Sequence, residues 1–277
     1  MKASNSNSVT NSLRSPKHAS GNASPDNGPA GGLLYGLVGI CILLVIWQLL
    51  SITLNPVIIA SPLHTVSTFL RLLTEKRTWV YVATTLQRLL IGLLIGSAIG
   101  TSLGLAAGLN RCVRQILEPV RWVAMTVPAV VIAIVAMLWF GMGSKPVTFI
   151  AAIINVPLTY VNVMEGMMAI DDKLVEMARS FRLPRRMLFT EVYLPSIGSA
   201  LMAALTLTVG MGVRVVVLAE LMGAHDGIGY AFSRAWIQLD TPAIFAWMLM
   251  SLLLLGALEF GILAPIKKRL LRWKTVK

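Results

Sequence analysis

Six long apolar segments constrain the fold of this chain more than any other feature of its sequence. Each is long enough to cross the hydrocarbon core of a bilayer, which takes roughly 20 helical residues. The segments lie near residues 33–53, 82–108, 120–141, 146–168, 197–222 and 243–264. Only 13% of the residues are charged, against roughly 25% in an average soluble domain. The sequence therefore predicts an all-α membrane protein with six transmembrane helices.

The distribution of lysine and arginine predicts the orientation of these helices. With the N-terminus inside, 17 of the 24 basic residues fall in inner segments and five in outer segments, while Arg88 and Arg214 lie within spans. Because basic residues concentrate in cytoplasmic segments, both termini are expected in the cytoplasm. The net charge of +12 then reflects membrane topology, and we expect no nucleic acid partner.

Four regions follow one another along the chain. Residues 1–30 are rich in Ser, Asn, Gly and Pro, a composition that predicts a disordered cytoplasmic tail. Residues 31–80 hold the first transmembrane helix and an outer amphipathic segment. Residues 81–266 form the core of the protein, and 267–277 a basic cytoplasmic tail. The first apolar run continues as a full span, which is expected to be retained rather than cleaved as a signal peptide.

The second apolar segment carries a regular series of glycines. They stand four residues apart, at Gly92, Gly96, Gly100, Gly104 and Gly108. Small residues at this spacing let another helix backbone approach closely in lipid, where dispersion contacts drive association. The series therefore predicts a helix-packing face, either against a helix of the same subunit or at an interface between subunits.

Three ionisable residues in or near spans are candidates for function, because charges are costly in hydrocarbon. They are Arg88, Arg214 and Glu220. Arg214 and Glu220 lie six residues apart, about 240° around a helix, so they cannot pair within it. Arg214 is expected either to face a solute pathway, where its charge suits an anion, or to bind a partner on a neighbouring helix. For Glu220, packing, gating and solute contact all stay open.

A charged stretch between the fourth and fifth apolar segments predicts a docking site for another protein. Its five cationic residues are Lys173, Arg179, Arg182, Arg185 and Arg186. Apolar residues recur between them at helical spacing. Pro184 ends a first short helix, and Pro195 redirects the chain into the fifth span. The predicted loop, 169–196, thus projects two short helices into the cytoplasm.

This stretch resembles the coupling loop of ABC importer permeases. In that family the loop reads Glu-Ala-Ala, three residues, Gly, about nine residues, an aliphatic residue, one further residue and Leu-Pro. The matching positions are Glu176, Ala178, Val192, Leu194 and Pro195. Met177 replaces the middle alanine, and Arg182 stands where the resemblance calls for glycine. An arginine with positive φ would cost roughly 1 kcal/mol, so Pro184 is expected to help form the turn in a different way.

The resemblance extends from about Ala83 to Trp273. It includes T-L-Q-R near residue 85, L-W-F-G-M-G at 138–143, A-E-L-M-G-A at 219–224 and G-I-G-Y at 227–230. Together these motifs resemble the nitrate, sulfonate and taurine branch of the permeases. The resemblance implies the type I ABC importer permease fold, with cytoplasmic coupling helices between transmembrane helices 4 and 5.

The same resemblance implies the partners of the chain. Two permease copies, a homodimer surrounded by lipid in a bacterial inner membrane, would form the pathway. Each loop would sit in a cleft of a separate cytoplasmic ATPase, and a periplasmic or lipid-anchored solute-binding protein would deliver the solute. The residues implied in coupling are Glu176, Ala178, Arg182, Pro184, Leu194 and Pro195. ATP and Mg²⁺ would bind the ATPase, so we expect no enzymatic site, cofactor or metal on this chain, whose sequence lacks a phosphate-binding loop.

The solute class rests on the resemblance alone. A small anion such as a sulfonate, taurine or nitrate is expected, and a vitamin precursor is the alternative. An ion-gradient-driven secondary transporter is the competing mechanistic class. It predicts carboxylates near the middle of the membrane and an internal repeat, and neither is clear in this sequence.

Overall fold

The computed structural model describes residues 29–55, 58–171, 173, 176, 177, 180, 181, 184–188, 190 and 193–270. All regular elements among these residues are helices. They are α1 Pro29–Thr53, α2 Pro62–Thr74, α3 Lys76–Leu109, α4 Arg111–Thr126, α5 Ala129–Phe140, α6 Ser144–Met168, α7 Arg185–Leu188, α8 Leu194–Gly223, α9 Ile228–Ile237, α10 Thr241–Gly256, a π-helical segment Ala257–Leu263, and α11 Ala264–Leu270. Most of the predicted disordered tail, 1–30, and residues 271–277 of the basic tail lie outside the described residues.

The chain divides between Ile46 and Trp47 into two compact units. Among the described residues, the first unit consists of α1 up to Ile46, a helix whose sequence carries no charged side chain. The second unit begins at Trp47 and contains the end of α1 and all the other helices. The residues singled out by the sequence as candidates for function belong to this second unit.

Five helices among the described residues are long and apolar enough to cross a membrane. They are Tyr35–Thr53, Lys76–Leu109, Ser144–Met168, Ile197–Gly223 and Thr241–Lys268. Each coincides with one of the six predicted segments. A sixth span exists if α4 and α5, which meet at 95°, are taken together as one broken span.

The third predicted segment, 120–141, is interrupted by a bend, at the proline that its sequence contains. Helix α4 ends at Thr126, and α5 begins at Ala129 after a sharp bend. Pro128 has no N–H to donate and disfavours helical backbone in the residue before it. Val127 is accordingly extended, with φ −68° and ψ 124°. The bend therefore separates α4, an amphipathic helix with four charged side chains, from α5, whose side chains are all apolar.

The glycine series of α3 lies against α6 of the same chain. A Cβ atom at Gly96 would stand 2.5 Å from the carbonyl oxygen of Ala152, and one at Gly104 would stand 2.8 Å from that of Tyr160. Both separations are far below van der Waals contact, so any side chain there would push the helices apart. Between them, Asn155 donates hydrogen bonds of 3.0 Å to the Leu93 carbonyl and the Ser97 hydroxyl. The packing observed is thus the one within a subunit.

One apolar core joins α3, α5, α6, α8, α9 and α10. Its fully buried side chains include Leu89, Ile150, Val216, Ile228 and Met250. Because Leu89 of α3, Val216 of α8 and Ile228 of α9 belong to this core, the first half of α3 lies beside the last turns of α8. That arrangement brings two charged residues of distant sequence together.

Candidate functional site

Arg88 of α3 and Glu220 of α8 form a buried ion pair. The Nη1 group of Arg88 donates to Oε1 of Glu220 at 2.7 Å. Only 3% of the arginine side chain and none of the glutamate side chain is exposed. Two residues that the sequence singled out separately are therefore one feature, which spans 132 positions of the chain.

The guanidinium of Arg88 uses all five of its N–H donors. Besides Glu220, it donates from Nη1 to the Asp226 carbonyl oxygen at 2.9 Å and from Nη2 to the Asp226 carboxylate. Its Nε and Nη2 groups donate to the Ser144 hydroxyl at 3.2 and 2.7 Å. Since arginine has five donors and no acceptor, Arg88 has none left for a solute in this conformation.

Glu220 is equally well satisfied. Thr85 donates its hydroxyl toward both carboxylate oxygens, at 3.0 and 2.8 Å, and accepts a hydrogen bond of 2.9 Å from the N–H of Ile228. The N–H of Gly229 donates to Oε2 of Glu220 at 3.0 Å. The network thus ties α3, the start of α6, the end of α8 and the start of α9 together.

Two glycines make room for this network. Gly227 has φ 103°, a left-handed conformation that glycine adopts without strain, and a Cβ there would collide with the Glu220 carboxylate. A Cβ at Gly229 would collide with the Val217 carbonyl oxygen. The G-I-G-Y motif at 227–230 is therefore explained by close approach of the chain to α8.

The importance of this buried ion pair for stability lies mainly in the destabilisation that follows when one of its two partners is lost. Desolvation offsets much of the attraction between buried charges, whereas deleting one partner leaves the other buried and uncompensated, at about 3–5 kcal/mol. Of the roles left open for Glu220, the packing role matches its surroundings in this structure. The pairing of Glu220 with Arg88 was not predicted, although the sequence places opposite charges near the same predicted side of two spans.

Arg214, the third ionisable candidate, has different surroundings. It lies in α8 on the exposed side of the helix. Within the described part of the chain, no hydrogen bond or ion pair involves its side chain. Leu207 and Met211, which precede it on the same face, are also exposed, by 54% and 46%. The guanidinium of Arg214 is therefore exposed on the surface of the subunit.

The predicted coupling loop is described in part. Glu176 and Pro184 are exposed, and α7 forms one short turn of helix, Arg185–Leu188. Leu194 and Pro195 begin the long helix α8, with the proline in its first turn, where its missing N–H costs no helical bond. Ala178 and Arg182, the residue that departs from the resemblance, lie outside the described residues.

Apolar side chains in this loop are exposed as well. Phe181 is exposed by 74%, Met177 by 54% and Met187 by 46%. These three side chains lie within the charged stretch and outside the membrane spans. Their exposure is therefore not explained by contact with lipid, as it is for side chains of the spans. Among the residues that the structure describes, no group of three His, Cys, Asp or Glu side chains is placed to hold a metal ion.

Comparison with known proteins gives a family match over most of the core. Residues 90–271 match the family model described as binding-protein-dependent transport system inner membrane component. The chain is 33% identical over 234 residues to the aliphatic sulfonates transport permease protein SsuC of Escherichia coli strain K12, covering 83% of this chain and 88% of the relative. It is also 33% identical over 250 residues to the riboflavin transport system permease protein RibX of Chloroflexus aurantiacus, covering 89% and 91%.

Solved structures show the same fold. The MetNI methionine ABC transporter in an inward-facing conformation contains a chain that superposes with a TM-score of 0.56 at 19% sequence identity. The match covers 72% of this chain and 96% of that one. The helical architecture predicted from the sequence is thus the one found in an ABC transporter.

Proposed function

The chain belongs to the family of binding-protein-dependent transport system inner membrane components, the permeases of ABC importers, and we propose that two copies of it form the solute pathway of an ATP-driven importer. The observation that carries this proposal is the family match over residues 90–271, which extends from α3 past the end of α11 and includes the coupling loop. A separate cytoplasmic ATPase, which binds ATP and Mg²⁺, supplies the energy. A solute-binding protein outside the membrane delivers the solute.

The loop 169–196 is the proposed point of contact with the ATPase. It lies between two spans, α6 and α8, and in the orientation predicted by the basic residues it faces the cytoplasm. Its exposed Phe181, Met177 and Met187 offer apolar surface of the kind that marks protein interfaces. The residues proposed for coupling are Glu176, Ala178, Arg182, Pro184, Leu194 and Pro195.

The proposed solute is a small anion such as a sulfonate, taurine or nitrate. The similarity to a permease named for aliphatic sulfonates supports this class, and so does the uncovered Arg214. A second candidate is a vitamin or a vitamin precursor, because a permease named for riboflavin has the same 33% identity to this chain as the sulfonate permease. The two candidates differ in the solute and share the importer mechanism, whereas membership of the family argues against an ion-gradient-driven transporter.

Purification of the tagged full-length chain from its native host tests the importer. Under mild detergent, we expect an ATPase with a phosphate-binding loop to co-purify with it. Recovery of the chain without any such ATPase, in a preparation that retains full transport activity after reconstitution, would contradict the proposal.

A charge reversal tests the coupling loop. Glu176→Lys is expected to abolish ATPase co-purification and uptake while membrane insertion stays intact, because it reverses the charge of an exposed residue in the proposed docking loop. Glu75→Lys is the matched control, since Glu75 is exposed, lies between α2 and α3, and makes no side-chain capping bond. Equal effects of the two reversals would count against a coupling role for Glu176.

A further inference from the structure

Arg214 lies deep within a span. It follows Ile197 by 17 residues and precedes Gly223 by nine in the span Ile197–Gly223, so at 1.5 Å per residue it stands about 26 Å from one end and about 14 Å from the other. Its side chain is exposed on the subunit surface. A group so placed would have to face lipid, another protein chain or water.

Lipid is a poor environment for this guanidinium. A charged side chain can reach the polar headgroups only from near a helix end. Helical side chains also lean toward the N-terminus of their own helix. Arg214 therefore leans away from Gly223, the nearer end, and over the preceding turn. This direction carries its charge toward the middle of the span.

The preceding turn is open. Gly210 stands four residues before Arg214 on the same side of α8, and apart from the nearby backbone of its own helix no atom lies within 4 Å of the position that a Cβ would take there. The remaining exposed residues of this face, Leu207 and Met211, are apolar. This exposed face thus combines apolar side chains with one cation, the two kinds of group that line small-ligand sites.

We propose that Arg214 binds the anionic group of the transported solute at this open face, on the pathway between the two permease copies. The inference rests on the proposed function and adds the residue that recognises the solute within the membrane. A guanidinium forms paired hydrogen bonds with sulfonate or carboxylate oxygens. Arg88 does not compete for the solute because its five donors are used inside the subunit.

This arrangement gives the pathway a selectivity of its own. An anion passing the open face neutralises the guanidinium, whereas a neutral solute leaves it without a partner and a cation is repelled. Two copies of the chain would present two such arginines. Solute choice would then be made twice, first by the binding protein and again within the membrane.

A cysteine beside Arg214 tests the site with small charged reagents in place of the solute. The chain has two cysteines, Cys41 and Cys112, which are replaced by serine. Gly210→Cys is then introduced into the full-length chain, assembled with its ATPase in native membranes. The probes are two methanethiosulfonates of similar size, one carrying a sulfonate (2-sulfonatoethyl) and one a trimethylammonium group (2-(trimethylammonium)ethyl). Labelling rates are measured with and without ATP and vanadate.

Each labelling rate is divided by the rate of the same reagent with a free thiol in solution, because the reacting thiolate is an anion and itself favours the cationic reagent. On this normalised scale, the sulfonate reagent is expected to label the thiol of the Gly210→Cys variant about tenfold faster than the cationic reagent, because unit charges roughly 6 Å apart attract appreciably even in partly hydrated surroundings. Arg214→Gln in the same background should abolish the preference, and Arg214→Lys should retain most of it. If Gly210→Cys does not accumulate in the membrane, Leu207→Cys on the same face replaces it.

Two outcomes would overturn the site. If the introduced thiol reacts with neither reagent in any state, the position faces lipid or another chain rather than a pathway. Equal normalised rates for the two reagents would mean an aqueous position without anion preference. Both outcomes are independent of ATPase co-purification with the same variant, so failure of the anion site is distinguishable from failure of the importer function.

Discussion

Helices α3 and α8 each carry an arginine and a glycine four residues apart, yet the two pairs have opposite surroundings. On α3, Arg88 is 3% exposed and fully hydrogen-bonded, and Gly92 lies against Ala151 of α6. On α8, Arg214 is exposed, and Gly210 has no neighbouring atom within 4 Å of a Cβ position. The same residue types at the same spacing therefore pack inside the subunit on α3. On α8 they stay exposed, where a solute, lipid or another protein chain can contact them.

The difference arises from which helices cover each face. Helix α6 covers the glycine side of α3, and the turn between α8 and α9 closes over Arg88. The face of α8 that holds Arg214 has no such cover among the described residues. Because one face is covered and the other is not, identical substitutions on the two helices are expected to have unequal effects.

The largest difference is expected for replacement of the buried arginine. Arg88→Gln should lower the free energy of unfolding by about 3–5 kcal/mol, because Glu220 would be left in the interior without its charged partner. Thermal unfolding of the purified chain in detergent, together with its abundance in the membrane, measures the effect. Arg88→Gln combined with Glu220→Gln should be less damaging than the sum of the single changes. Additive effects would show that the two residues are not coupled.

The second difference concerns the glycines. Gly96→Ala should lower the free energy of unfolding by about 1–3 kcal/mol, because the new Cβ would stand 2.5 Å from the Ala152 carbonyl and force α3 and α6 apart. Gly210→Ala is the matched control, and it should leave stability unchanged or slightly raised, since alanine is the better helix former. Thermal unfolding of both variants in detergent under identical conditions measures the difference in stability. Equal destabilisation would contradict the view that only the α3 face is closed.

A smaller effect is expected at the exposed end of the Arg88 network. The Asp226 side chain is 47% exposed, and exposed ion pairs contribute about 0–1 kcal/mol. Asp226→Asn should therefore lower the free energy of unfolding by less than about 1 kcal/mol, since the Asp226 carbonyl and Ser144 still accept from the guanidinium. A loss as large as that of Arg88→Gln would mean that the exposed carboxylate, rather than Glu220, holds the network.

The smallest change in stability is expected at Arg214. Arg214→Gln should alter the free energy of unfolding by no more than about 0.5 kcal/mol, as is usual for uncovered surface positions. The same thermal unfolding assay applies, with Arg88→Gln as its counterpart on α3. Strong destabilisation would show that Arg214 has a structural partner, the alternative left open by the sequence.

Much of the helical architecture was predictable because it depends on residues close together in the chain. Five apolar segments coincide with long helices, and the glycine series of α3 lies in a close contact with α6. The bend at Pro128 was visible as a proline within an apolar segment, but its angle of 95° was not. For the partner of Arg88, the sequence offered only opposite charges near the same predicted side of two spans. The contact itself joins residues 132 positions apart and depends on how α3 and α8 pack.

The coupling loop remains a prediction at several of its residues. Glu176 and Pro184 are exposed, as docking requires, whereas Ala178 and Arg182 lie outside the described residues. The loop was recognisable from its sequence because a charged segment contrasts with apolar spans on either side. Its contacts with an ATPase depend on a second protein, which the sequence of this chain does not contain.

By itself, the sequence determined that this protein crosses a membrane in apolar helices and presents a charged loop between two of them. Hydropathy, helical spacing and proline positions are properties of residues close together in the chain, so they determine where helices form without reference to how the helices pack. Only the tertiary structure decided that Arg88 is neutralised by Glu220 while Arg214 stays uncovered. The reason is physical: the cost of a charge in a span depends on the groups that surround it, and packed helices bring those groups from distant parts of the chain.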